Sequence, residues 1–246
     1  MKPYRRPDTG FASRTVQNAA VPVDRGLPAI VGAAQTIQRP DPAIDLADLR
    51  GPYELMVDAA RAAAADAGAP QLLSKIDWVG VVGGFWSFVN PGEVVAAQLG
   101  SPDAGTCLTA LSGTSPQEAV ALAASRIATG EIDVALIVGG EARAASVRVQ
   151  RAGEEPTWCR DPGTTLPERI ADFPQEVLQE AADLGGVAGP SILYALFEDS
   201  LRRSLGVSVD DHRDHISELW ARFSAVATAN PYAWDQTAHD AVSIRT

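Results

Sequence analysis

The chain has 246 residues, of which 46% are hydrophobic and 21% charged, with a formal net charge of -11. That balance suits a soluble globular fold with a sizeable core. The acidic total argues against nucleic acid and against an anionic membrane surface as partners. No apolar run approaches the roughly 18 residues that a spanning helix requires.

Residues 1–27 carry Lys2, Arg5, Arg6, Arg14 and Arg25 against only Asp8 and Asp24, and read as a flexible basic arm with no secretory signal. Residues 29–37, "AIVGAAQTI", are apolar on both faces and predict a first strand. "PYELMVDAARAAAADAG" predicts a helix that opens at Pro52 and closes at Gly68. "WVGVVGG" predicts a second buried strand, "GEVVAAQLG" a short helix and "GTCLTA" a third strand. A helix headed by "SPQE" follows, and "DVALIVGG" predicts a fourth strand. Strands without polar alternation, separated by helices, indicate a mainly parallel sheet covered on both faces. Residues 28–142 therefore read as one α/β domain.

Residues 143–246 read as a loop domain, irregular and then helical. Its first part is rich in Gly, Pro, Arg and Glu, with one short helix expected near residues 175–183. Two amphipathic helices are predicted after it. The first, near residues 191–205, has Leu193, Phe197 and Leu201 at helical spacing. The second opens with Ser208 as cap and carries Ile216, Leu219, Trp220, Phe223, Val226 and Ala227 on one face, ending at Asn230.

The "SPQE" helix is the most explicit stretch. Ser115 predicts an N-cap, Pro116 the first helical position, and Glu118 a side chain bonding back to the cap. The run Ala119–Ala124 is apolar all round, so this helix is expected in a middle layer, enclosed on opposite sides.

These elements together resemble the thiolase superfamily. The resemblance rests on "AIVGAAQT", "ELMVDAARAAAADAG" and "IATGEIDVALIVGGEA" within residues 28–142. It rests also on residues 194–234, which are similar to a loop-domain segment of thiolase-like proteins often labelled acetyl-CoA acetyltransferases. It implies a buried helix between two stacked sheets, chemistry on acyl-CoA thioesters as substrate with no further cofactor, and a cytoplasmic role in lipid metabolism. It further implies a nucleophilic Cys in the turn before the buried helix. Counting back from "IATGE" places Gly113 there, so no acyl-enzyme forms at that position and no catalytic residue is assigned. The turn of Ser112, Gly113, Thr114 and Ser115 is the expected thioester pocket, through its backbone N–H groups. The family's second half, with its His and second Cys, is expected to be absent from this chain. Either the chain is truncated or a separate polypeptide supplies that half, and the expected assembly is a homodimer or a heteromer with a C-terminal half or accessory subunit.

Other readings stay open. An aldolase-type subunit would need an acid/base Tyr or His facing the turn, for which Tyr194 and Tyr232 are the candidates. A catalytically silent binding or assembly subunit would need neither. Ser112 is freer than Ser115 to attack a carbonyl, but the sequence identifies no base for it. Cys107 and Cys159 read as reduced structural thiols. His212 and His215 lie three apart, yet read as part of a solvated helix start and not as a metal site. "FWSFV" at residues 85–89 could line an acyl pocket or an interface, but core packing is the first reading. Arg143, Arg148 and Arg151 read as surface charge, with CoA phosphates as the alternative.

Overall fold

A computed structural model of the chain describes residues 27–39, 41–159, 163–170 and 190–245. Its centre is a four-stranded sheet in the order β3-β1-β2-β4, formed by β1 (Trp78–Val81), β2 (Gly105–Thr109), β3 (Ala135–Val138) and β4 (Glu168–Ile170). All pairings are parallel, with Trp78 opposite both Gly105 and Ala135, and Cys107 opposite Glu168. The expected fold class, a mainly parallel α/β layer with helices on both faces, is what the structure shows.

Alternation along β1 sorts its side chains to two faces. Val79 and Val81 point to the side covered by α1 (Pro52–Asp66) and α2 (Pro91–Leu99). There they meet Tyr53, Met56, Val57 and Ala60 of α1, and Val95, Ala96 and Leu99 of α2. The α1 residues recur at helical spacing and bury one stripe against the sheet. Trp78 points to the other side, where it shares a cluster with Cys107 of β2 and Ala123 of α3 (Ser115–Ala128). A smaller cluster joins Leu49, Leu55 and Trp158 to α4 (Arg143–Arg151) through Ala145 and Val149.

Helix ends follow local chemistry. Asn90 is fully buried and caps α2 by accepting from Glu93 N–H at 3.2 Å. Its amide donates to the hydroxyls of Thr106 (3.0 Å) and Thr165 (2.9 Å), which ties α2 to β2 and to the approach of β4. Glu93 gathers the N–H and O–H groups of Thr164 and Thr165 at 2.7–3.0 Å. Those donors hold its carboxyl down at about 2, against an ordinary 4.5.

Helices α5 (Pro190–Leu205) and α6 (Val209–Ala229) match the two amphipathic segments expected, and α7 (Ala241–Arg245) packs on α6. Ser208 caps α6 by accepting from Asp211 N–H at 3.1 Å.

Two expectations are corrected. Residues 27–39 contain no strand: the apolar run lies along α1, with Ala33 N–H on Asp66 Oδ2 at 3.0 Å and the Thr36 hydroxyl on the Leu55 carbonyl at 3.2 Å. Ile30 and Val31 remain exposed, and β1 pairs directly with β3. An apolar run gives β-propensity but not a ladder partner. Secondly, α4 and β4 lie where only irregular chain was expected, because their short apolar signals, Ala145 with Val149 and a lone Ile170, fall below the reach of periodicity. Among the described residues α3 is covered on one side. Ala119 and Ala123 are buried, while Ala121 and Ala128 face solvent, and no second sheet stands among the described residues. The short helix expected near residues 175–183 lies outside the described residues.

Candidate functional site

The carboxyl ends of β1, β2 and β3 converge. In open parallel sheets a crevice forms there between neighbouring strands whose following helices leave on opposite faces. β1 and β2 are such a pair, since α2 packs with the Val79/Val81 face and α3 with the Trp78 face.

Close backbone approach explains the glycine at the β1 exit. A Cβ on Gly83 would stand 2.7 Å from the Thr109 carbonyl oxygen. Its N–H instead donates to Thr109 Oγ1 at 3.1 Å. The β2 exit is pinned from two more directions, by Ala110 N–H on the Ile170 carbonyl at 3.3 Å and by Ser115 Oγ on the Ala110 carbonyl at 2.7 Å. At the β3 exit, the Gly140 carbonyl takes the Trp86 indole N–H at 2.9 Å, and Glu141 accepts from Phe85 N–H at 2.8 Å.

The four predicted turn residues come together at this edge. Ser115 is fully buried and is the first residue of α3, not its cap. Thr114 occupies the cap position with helical dihedrals (φ -89°, ψ -20°) and makes no side-chain cap bond. The expected capping box is therefore absent. The chain enters α3 through a turn closed by Ser115 N–H on the Ser112 carbonyl (3.3 Å), so it already turns helically before the cap and leaves no extended residue to cap from. Glu118 instead accepts from Thr114 Oγ1 at 2.8 Å. Thr114 Oγ1 also lies 3.1 Å from Ser112 Oγ, and Thr114 N–H donates to Ser112 Oγ at 3.3 Å. The other carboxylate oxygen of Glu118, Oε2, is buried without a hydrogen-bond partner among the described residues.

Gly113 is exposed, and a Cβ built on it would meet nothing within 4 Å. Its N–H reaches no acceptor among the described residues. Position 113 is thus an opening in the wall of the turn, with main chain available to a ligand.

The remaining candidates fall elsewhere. Cys107 is buried, and desolvation, aided by Glu168, pushes its thiol up to about 11, so it stays protonated and inert near neutrality. The side chain of Cys159 lies outside the described residues. Tyr194 packs edge-on to Phe197 in α5, and Tyr232 is exposed beyond α6; neither hydrogen-bonds to the turn. His212 binds Glu198 Oε2 at 3.0 Å and links α6 to α5, while no cluster fit for a metal occurs among the described residues. The aromatic run divides: Trp86 and Phe88 stack at 4.8 Å, and Phe88 stacks on Tyr53 at 4.2 Å, while Phe85 is exposed under the Arg143 guanidinium at 5.7 Å. Arg148 is spent on the carbonyls of Asp41, Pro42 and Ile44. A cavity of about 580 Å³ lies between α6 and α7, lined by Arg213, Asp214, Glu218 and Arg245, on elements remote in sequence from the turn.

Sequence reasoning missed Glu118 as anything but a capping residue. The missing signal was the turn's geometry, which decides whether a residue three or four positions on meets the backbone or a hydroxyl.

No family model matches the chain, and no curated protein matches it. Among solved structures it is similar to a monomeric SCP2-thiolase like protein type 1 from Mycobacterium smegmatis, at 28% identity and a TM-score of 0.62. The match covers 91% of this chain and 40% of that one, so the chain spans about two fifths of the length of the structure it resembles. Among the described residues no helix is long and apolar enough to cross a membrane. The parallel sheet, its helices on both faces and this structural match together give the chain a thiolase-like fold.

Proposed function

We propose that this protein is a cytoplasmic, acyl-CoA-handling member of the thiolase superfamily, related to the acyltransferases of lipid metabolism, and that it binds the thioester at Ser112–Ser115. The observation that carries this reading is the opening at Gly113. A turn at the carboxyl edge of a parallel sheet, leading into a helix N-terminus, presents an N–H without an acceptor among the described residues and no side chain. Such a site can approach a carbonyl oxygen closely and polarise it. With glycine at the position, no covalent bond forms at residue 113. The chain contributes binding and orientation there, and a second α/β half completes the enzyme, as a homodimer or a heteromer. Among the described residues α3 is covered on one side, and Ala121 and Ala128 present a flat face of small side chains, which supports that partner.

The test is binding. Acetyl-CoA at saturating concentration raises the melting temperature of the chain, by the equivalent of about 2.7 kcal/mol at a hundredfold excess over Kd. Gly113→Leu folds with an unchanged melting temperature and loses that shift. Equal shifts in both proteins, or none in either, overturn the reading.

A further inference from the structure

We propose that Ser112 is the acyl acceptor of this site, with Thr114 and Glu118 as the positioning residues that carry its proton. This rests on the thioester reading above and goes beyond it, by naming a nucleophile where residue 113 offers none.

The direction of the hydrogen bonds carries the argument. Glu118, when ionised, only accepts, so the contact at 2.8 Å takes the single proton of Thr114 Oγ1. Thr114 Oγ1 therefore accepts in its 3.1 Å contact with Ser112, and Ser112 donates. Ser112 Oγ in turn accepts from Thr114 N–H at 3.3 Å, which fixes it within the turn. The three side chains form a one-way wire that runs from the half-exposed Ser112 into the first turn of α3. A second observation stands apart from the wire: Glu118 Oε2 is enclosed with no donor among the described residues. An enclosed carboxylate oxygen without a partner is costly, and a proton-accepting role in the turn gives that cost a purpose. The sequence placed Ser112 next to Gly113 but gave it no base; the fold supplies one six residues on.

Ser112 Oγ attacks the thioester carbonyl carbon while its proton passes to Thr114 Oγ1 and the Thr114 proton passes to Glu118 Oε1. The tetrahedral adduct places its oxygen anion toward the Gly113 N–H. Its collapse breaks the carbon–sulfur bond. Thr114 then protonates the departing sulfur and is reprotonated by Glu118. The products are an acyl ester on Ser112, free coenzyme A thiol and a Glu118 carboxylate, with no outside oxidant or reductant.

The experiment uses two acyl donors on the full chain, acetyl-CoA and p-nitrophenyl acetate, with peptide mass mapping and time-resolved intact mass. Both donors are expected to acetylate Ser112, and Ser112→Ala to abolish the adduct. Glu118→Gln keeps an acceptor oxygen but removes the charge, and slows labelling about 100-fold with an unchanged melting temperature. Thr114→Val slows it comparably, and Thr114→Ser restores it, a rescue that a purely structural role for Thr114 would not show. Labelling of Ser112 by the ester alone sustains the relay and sinks the acyl-CoA reading. Acetyl-CoA binding without labelling by either donor overturns the relay and leaves that reading standing. Labelling elsewhere, or at equal rates in Glu118→Gln and wild type, also overturns the relay.

Discussion

Gly113 and Cys107 lie six residues apart and differ in every property a nucleophile needs. Cys107 is enclosed between the sheet and α3, and its thiol is held protonated. Gly113 stands in open space with an ordinary backbone, so a side chain fits there. Gly113→Cys is expected to leave stability within about 0.5 kcal/mol of wild type. In the native protein iodoacetamide should modify residue 113 at neutral pH and spare Cys107 until the chain is denatured, as peptide mapping will show. Glu93 gives a separate prediction at this scale. Its folded-state pKa of about 2 lies below the ordinary 4.5, so its contribution is complete above about pH 4.5 and fades as the pH falls toward 2. Glu93→Gln should be less stable than wild type at pH 7. The difference should shrink on acidification through that window, read by denaturant midpoints at a series of pH values.

Among elements, α1 and α3 contrast. α1 buries Met56 and Val57 against Val79 and Val81, a continuous stripe on a continuous sheet face. Met56 is fully buried, and Met56→Ala is expected to cost about 2–5 kcal/mol through lost transfer energy and the cavity left behind, measured by urea unfolding. α3 rests on fewer and smaller side chains, and its first turn is held instead by the Ser115–Ala110 bond at 2.7 Å. Ser115→Ala should destabilise by about 1 kcal/mol and loosen the turn. Faster hydrogen exchange at residues 111–116, with the rate in α1 unchanged, would show that the effect is local.

At the scale of the molecule, the described residues divide into a buried α/β layer and a helical region whose apolar stripes they leave uncovered. Phe197 and Leu201 on α5, and Trp220, Phe223 and Val226 on α6, are each at least half exposed. Monomers seldom leave patches of that kind in water. Native protein should bind an apolar fluorescent dye, and the paired change Trp220→Glu with Phe223→Glu should reduce the signal without lowering the melting temperature.

Much of the layer was legible in the sequence. Burial period, proline at helix starts and glycine at helix ends act within a few residues, and they placed α1, α2, α3, β1, β2, β3, α5 and α6. The same local signals picked out the turn at Ser112–Ser115. Pairing is a different matter. Whether "AIVGAAQTI" joins a sheet, whether Ile170 supplies a strand, and whether Glu118 meets a backbone or a hydroxyl each depend on what another segment presents across space. Sequence determined which segments could form elements and which residues stand at the edge of the sheet. Tertiary structure alone decided which strand lies beside which and aligned Ser112, Thr114 and Glu118, because hydrogen-bond partners are set by distance and direction, and neither is encoded in spacing along the chain.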